Sequence, residues 1–194
     1  MTAARNLLGP NNPATITGGV FHADDVLPGQ ASMTAGTGIT TGTGTVYTPF
    51  IYRIGDVIKT EIFVDLTGLN SGGADGDIIG VNATANSHFG QVTTANNGLI
   101  FKGCISCVET PAGGEPDIDV YTADEATGTE DAAITGLVET VLLAAAADWT
   151  KGVQKNFTGN VVANQYLYLV ASGGVTDATY TAGQFLIEMW GYVV

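Results

Sequence analysis

The stretch "DVIKTEIFVDLTGL", residues 56–69, restricts the fold more than any other part of the chain. Ile58, Thr60, Ile62, Val64 and Leu66 fall on one side of an extended backbone, and Lys59, Glu61, Phe63 and Asp65 fall on the other. Successive side chains point to opposite faces only in a β-strand. A strand patterned in this way belongs in a sheet with one dry face and one wet face. The pattern returns at "VYTPFIYRI", "GLIFKGCISCVE", "DIDVYTA", "NQYLYLVASGG" and "GQFLIEMWGYVV", with turn-rich segments such as "NSGGADGD" and "PAGGEP" between them. Short strands recurring about every ten residues between glycine-rich turns predict an all-β sandwich or barrel, and the jelly roll is the favoured form.

Two places are harder to assign. "GLVETVLLAAAADW" has an alanine run that favours helix, but it is surrounded by strands, so residues 137–149 are left open between helix and strand. "ASMTAGTGITTGTGTVYT" alternates glycine and threonine and fits either a weakly specified strand or a long loop. Residues 1–19, rich in proline, asparagine and glycine, predict an extended N-terminal arm, leaving 20–194 as a single β-sandwich domain. The segments "NQYLYLVASGG" and "GQFLIEMWGYVV" are expected to pair as neighbouring antiparallel strands across "SGGVTDATYTA".

The C-terminal strand carries the first functional clue. Phe185, Ile187, Met189 and Val193 share one face with Gly191, while Leu186, Glu188, Trp190, Tyr192 and Val194 share the other. The first set is a core face. The second mixes bulky apolar residues with one acid, the mixture found where a sheet meets another subunit.

Composition excludes several functions. Hydrophobic residues make up 45% of the chain, enough for a core, but charged residues only 13%, well under the roughly one quarter usual in soluble domains. A surface so short of charge points to a chain that lives in an assembly. There are 19 acidic residues against 6 basic ones, a formal net charge of −13, and the lysines and arginines are scattered singly. Tracking phosphates or anionic lipid requires clustered cations, so neither nucleic acid nor membrane is an expected partner. No apolar run approaches the roughly twenty residues of a membrane span, and the N-terminus shows no apolar secretory block. Synthesis in a cytoplasm is the expectation.

Motifs for chemistry are weak. Cys104 and Cys107 match C-x-x-C, but three residues apart on a strand they point to opposite faces, which predicts buried structural thiols rather than a redox pair or zinc site. Asp117 and Asp119 share a strand face, and Asp75 and Asp77 are a second acidic pair; paired acids can cleave glycosides, though such sites need a cleft. "ADGDIIG" is a fragment of a calcium loop without its full spacing. The sequence therefore predicts no catalytic residues, no cofactor and no metal.

"KTEIFVDLTGLNSGGADGDIIG", "EPDIDVYTADEATGTEDAAITGL" and "YLYLVASGGVTDATYTAGQFLIEMWGYVV" resemble virion structural proteins of tailed bacteriophages, especially those of marine and cyanobacterial hosts; the resemblance spans about Tyr52 to Val194. It implies a role in the phage head or tail. Acidity disfavours a position against packaged DNA. A β-sandwich with an arm fits a capsid decoration (cement) protein on the outer shell, made in the bacterial host and bridging neighbouring subunits. The expected partners are the major capsid protein and further copies of itself, as a homotrimer. The expected contacts are the arm, through Leu7 and Leu8, and the outer face of the last strand, through Leu186, Trp190 and Tyr192. The alternative is a tail or fibre module that binds host glycan, for which Tyr47, Tyr52 and Tyr121 are the exposed aromatics expected.

Overall fold

A computed structural model describes residues 33–194 except 146, 174 and 175. The arm, with Leu7 and Leu8, and the 19/20 boundary lie outside the described residues. What is described is an all-β sandwich of two antiparallel sheets. Its strands are β1 (Val46–Ile54), β2 (Val57–Asp65), β3 (Leu99–Ala112), β4 (Ile118–Ala123), β5 (Glu139–Leu143), β6 (Gln154–Asn156), β7 (Tyr166–Ala171) and β8 (Ala182–Tyr192). The larger sheet has the order β1-β2-β8-β3-β6 and the smaller one β5-β4-β7. β2 lies beside β1 in the larger sheet, and the described strands divide five and three between the two sheets.

β1 and β2 form a hairpin closed by two residues. Its first position, Gly55, has φ of 58°, the left-handed backbone that so tight a turn requires. The glycine–threonine stretch before it contains one short helix, α1 (Thr37–Thr40), with Gly38 and Ile39 buried. A second single-turn helix, α2 (Thr94–Asn97), is capped by Thr93, whose side chain accepts a hydrogen bond from the Asn96 backbone.

The main core lies between the sheets. Ile62, Val64, Ile105, Cys107, Phe185, Ile187 and Met189 from the larger sheet meet Ile118, Val120, Leu142, Leu167 and Leu169 from the smaller one. Trp149 is buried among them and stands edge-on to Phe185, ring centres 5.5 Å apart. A smaller cluster of Ile78, Ala123, Ile134, Tyr168 and Val170 covers the other side of the small sheet. Burying one such side chain is worth roughly 1.5–3 kcal/mol, so these clusters fix which face of each strand turns inward.

One open assignment is resolved and one expectation is overturned. Of residues 137–149, Glu139–Leu143 are strand, and Ala144, Ala145 and Ala147 lie in no helix or strand. The run is held from outside: the Ala145 backbone N–H donates to Asp119, Lys155 donates to the Ala145 carbonyl, and the Trp149 indole donates to the Ile118 carbonyl. Tertiary hydrogen bonds thus outweigh the propensity of alanine for helix. Nor do the last two strands pair with each other. β7 pairs with β4, while β8 lies between β2 and β3, so the intervening segment crosses from one sheet to the other. β7 is buried on nearly every residue and β8 on alternate residues, the difference between a strand covered on both faces and one with a free face.

Candidate functional site: the outer face of the larger sheet

β8 is the third strand of five, and its alternation fixes the character of the whole sheet. Phe185, Ile187 and Met189 are fully buried, while Leu186, Glu188 and Trp190 are half-buried and Tyr192 is 52% exposed on the opposite side. The neighbouring registers bring other side chains to that face. Leu186 lies opposite Phe63 and Ser106, Glu188 opposite Glu61 and Cys104, Trp190 opposite Lys59 and Lys102, and Tyr192 opposite Val57 and Leu99. β1 adds Phe50 beside Glu61 and Tyr52 beside Lys59. Phe50, Ile54, Leu99 and Tyr192 are each more than half exposed.

The centre of the face is a charge cluster. The Lys59 ammonium lies 2.5 Å from Glu61 and 2.8 Å from Glu188. Burial alone would lower the Lys59 ammonium, but its hydrogen bonds to Glu188 and Glu61 outweigh that and hold it above its ordinary value. The Tyr52 hydroxyl donates to Glu61. Lys59 and Lys102 both lie over Trp190, at 5.2 and 4.6 Å from the ring centre. Phe101 stacks on Tyr192 at 4.3 Å. Phe101 reaches this face because β3 is bulged between Ile100 and Lys102.

The structure therefore gathers Leu186, Trp190 and Tyr192 on one surface. It adds Lys59, Glu61, Lys102, Phe50 and Phe101, which sequence reading did not assign to it. Lys59 and Glu61 stood on the wet side of the β2 pattern, but the pairing of β2 with β8 was needed to place them beside Trp190. The bulge at Phe101 leaves no signal in the hydrophobic pattern.

The other proposed positions scatter. Tyr47 faces inward, its hydroxyl donating to the Phe89 carbonyl at 2.7 Å, with the Met33 carbonyl at 3.1 Å beside it. Tyr52 lies on the outer face and Tyr121 on the far side of the small sheet, packed against its minor cluster. The three do not form one glycan platform. Cys104 and Cys107 are both buried and free; Cys107 packs in the core and Cys104 touches Glu188 at 3.6 Å on the outer face. Burial first, then Glu188, pushes the Cys104 thiol up to about 11.

Of the paired acids, Asp77, Asp117 and Asp119 are buried and Asp75 is exposed. Asp119 accepts from Ala145, Asp77 from Ala74 and Asp75 from Gly173. Burial raises Asp77, Asp117 and Asp119 above the usual carboxylate range, and the charge of Asp119 raises Asp117 further. Among the described residues, no three His, Cys, Asp or Glu side chains come together so as to hold a metal ion. A hollow of about 130 Å³ lies between β3 and residues 157–161, below the ~300 Å³ at which ligand pockets begin. Among the described residues no helix is long and apolar enough to cross a membrane.

No family model, curated protein or solved structure matches the chain. The outer sheet face thus stands on its own geometry.

Proposed function

We propose that the chain is a non-enzymatic structural protein of a bacteriophage virion, a decoration protein that stabilises the outer capsid surface by bridging neighbouring subunits. The observation that carries this reading is the outer face of the larger sheet. It presents Trp190, Tyr192, Leu186 and Phe50 around a charge cluster that is neutral within itself. Tryptophan, tyrosine and phenylalanine are enriched at protein interfaces and supply many of their anchors. An exposed apolar face of this extent on a sheet also invites protein contact. The resemblance of residues 52–194 to virion proteins supplies the setting, and the arm, with Leu7 and Leu8, supplies a second contact to a neighbouring subunit.

Immunogold labelling of intact particles from the source tests this. Label over the head, at many copies per particle, is the expected result. Label confined to the tail or fibres overturns decoration and favours the glycan-binding alternative. No label on any particle, with the protein present in the lysate, removes the virion reading altogether.

A further inference from the structure

We propose that the outer face of the larger sheet pairs with the same face of a second copy, strands antiparallel, about a two-fold axis that crosses β8 between Glu188 and Trp190. This rests on reading the face as an assembly interface. It fills that face with a second copy, as a dimer in place of the homotrimer the resemblance implies, and leaves contacts to other subunits to the rest of the chain.

The registers lay the face out in rows that run across the strands. Leu186 and Phe63 form an apolar row, Glu188 and Glu61 an acidic row, and Trp190 with Lys59 and Lys102 a basic row. Tyr192, opposite Val57 and stacked on Phe101, forms a second apolar row. Read along β8, the order is apolar, acidic, basic, apolar. A two-fold axis lying in the interface and perpendicular to the strands reverses that order in the facing copy. Acidic rows then meet basic rows twice over, and the two apolar rows cover each other. An isologous interface needs this self-complementarity. A two-fold axis along the strands would instead set lysine on lysine and glutamate on glutamate, and like charges juxtaposed across an interface select against it.

Charge also selects the face. With a net of −13 on each copy, two chains repel over most of their surface. The middle rows hold two lysines and two glutamates and carry no net charge, and those lysines are two of the five basic residues in the described chain. Lys102 makes no ion pair among the described residues, and the reversed register lays the facing copy's Cys104 over it, with that copy's Glu188 one strand away. Size is sufficient. Four strands about 4.8 Å apart and roughly nine residues long give a face of about 20 by 30 Å. Two such faces bury roughly 1,200 Å², the lower end of specific interfaces.

Sedimentation equilibrium of the full chain at roughly 100 μM, concentrated enough to populate a dimer with a micromolar Kd, decides the matter. The expected mass is twice the 19.9 kDa of one chain. Lys59→Glu and Glu61→Lys should each weaken pairing at least roughly tenfold. An equal mixture of the two should restore it, because only unlike charges then face each other. Tyr192→Glu, at an exposed position, gives the loss without touching the ion cluster, and circular dichroism checks that each variant is folded. A monomer or a trimer overturns the proposal, as does a dimer indifferent to Tyr192→Glu, or two charge variants that fail to rescue each other. A wild-type monomer that still labels phage heads would overturn the pairing and leave decoration standing. A dimer of this kind that is absent from particles would support the pairing and end the decoration reading.

Discussion

Lys59 on β2 and Glu188 on β8 form a 2.8 Å ion pair across neighbouring strands, with both side chains less than one fifth exposed. The same ammonium holds Glu61, which sits directly opposite Glu188 in the register. Lys59 thus keeps two facing carboxylates together. Lys59→Met should cost about 2 kcal/mol, because it leaves two partly desolvated acids opposed, and Glu188→Gln should cost about 1 kcal/mol or less. Urea unfolding of dilute protein measures both. Added salt should narrow the gap between Lys59→Met and wild type by screening the glutamates.

Asp117 is 8% exposed, and its Oδ1 has no hydrogen-bond partner. Burial raises its carboxyl, the charge of Asp119 raises it further, and Lys155 only partly offsets them. A folded-state pKa above the unfolded value means that the folded protein binds the extra proton. Stability from this group is therefore present at low pH and lost as pH rises through the raised pKa. Asp117→Asn should raise stability at pH 8 by about 1 kcal/mol, or a melting temperature gain of about 3 °C. The gain should fade toward zero as pH drops into the carboxylate range. A melting series of both proteins from pH 8 to pH 4 reads this, and a gain that does not depend on pH would contradict it.

His88 opposes this trend in the wild-type protein. Burial lowers its imidazole below the ordinary value, and Nδ1 accepts the Gly90 N–H, which a protonated ring cannot do. Its contribution is present above the ordinary histidine range and is lost as pH falls through the lowered value. His88→Gln should cost stability at neutral pH, about 1 kcal/mol, and should flatten the acid side of the melting profile.

Both thiols are 2% exposed, and burial is the largest cause raising each. A thiol-specific disulfide reagent should titrate neither cysteine in the folded protein and both of the chain's two cysteines in urea. Mass spectrometry of the native protein should show no bond between Cys104 and Cys107, whose side chains lie on opposite faces of β3. Rapid reaction of one thiol under native conditions would place β3 in a different register.

Much of the fold is legible in the sequence because it rests on local alternation. The inward positions of β2 and β8 follow from a period of two, and they put Leu186, Trp190 and Tyr192 on the free face without knowledge of their neighbours. What pairs with what is not local. β7 and β8 each read as a good strand, and the loop between them offers ordinary turn residues, so a hairpin is the natural inference. Only the need to cover β7 on both faces sends it to the other sheet. The same limit hides the site: Lys59, Lys102 and Trp190 lie far apart in the chain and meet through register. The sequence leaves the alanine run open between helix and strand for a related reason, since the groups that hold it come from β4 and from Lys155.

Trp149 anchors that run and offers the sharpest test of it. Its indole N–H donates to the Ile118 carbonyl at 2.8 Å, its ring is fully buried against Phe185, and the Lys155 ammonium lies 4.6 Å from its ring centre. The same ammonium donates to the Ala145 carbonyl at 2.6 Å. Trp149→Phe should cost about 1–2 kcal/mol, because the buried Ile118 carbonyl loses its donor. Trp149→Ala should cost about 3–5 kcal/mol through the cavity it leaves. Lys155→Met removes the cap on the run and the cation over the ring, for about 1 kcal/mol. Because the two residues hold one segment, their effects should not add: once Trp149 is phenylalanine, Lys155→Met should cost measurably less than it does alone. Urea unfolding of the two single variants and the double variant closes the cycle, and full additivity would show that the segment is held by something other than this pair.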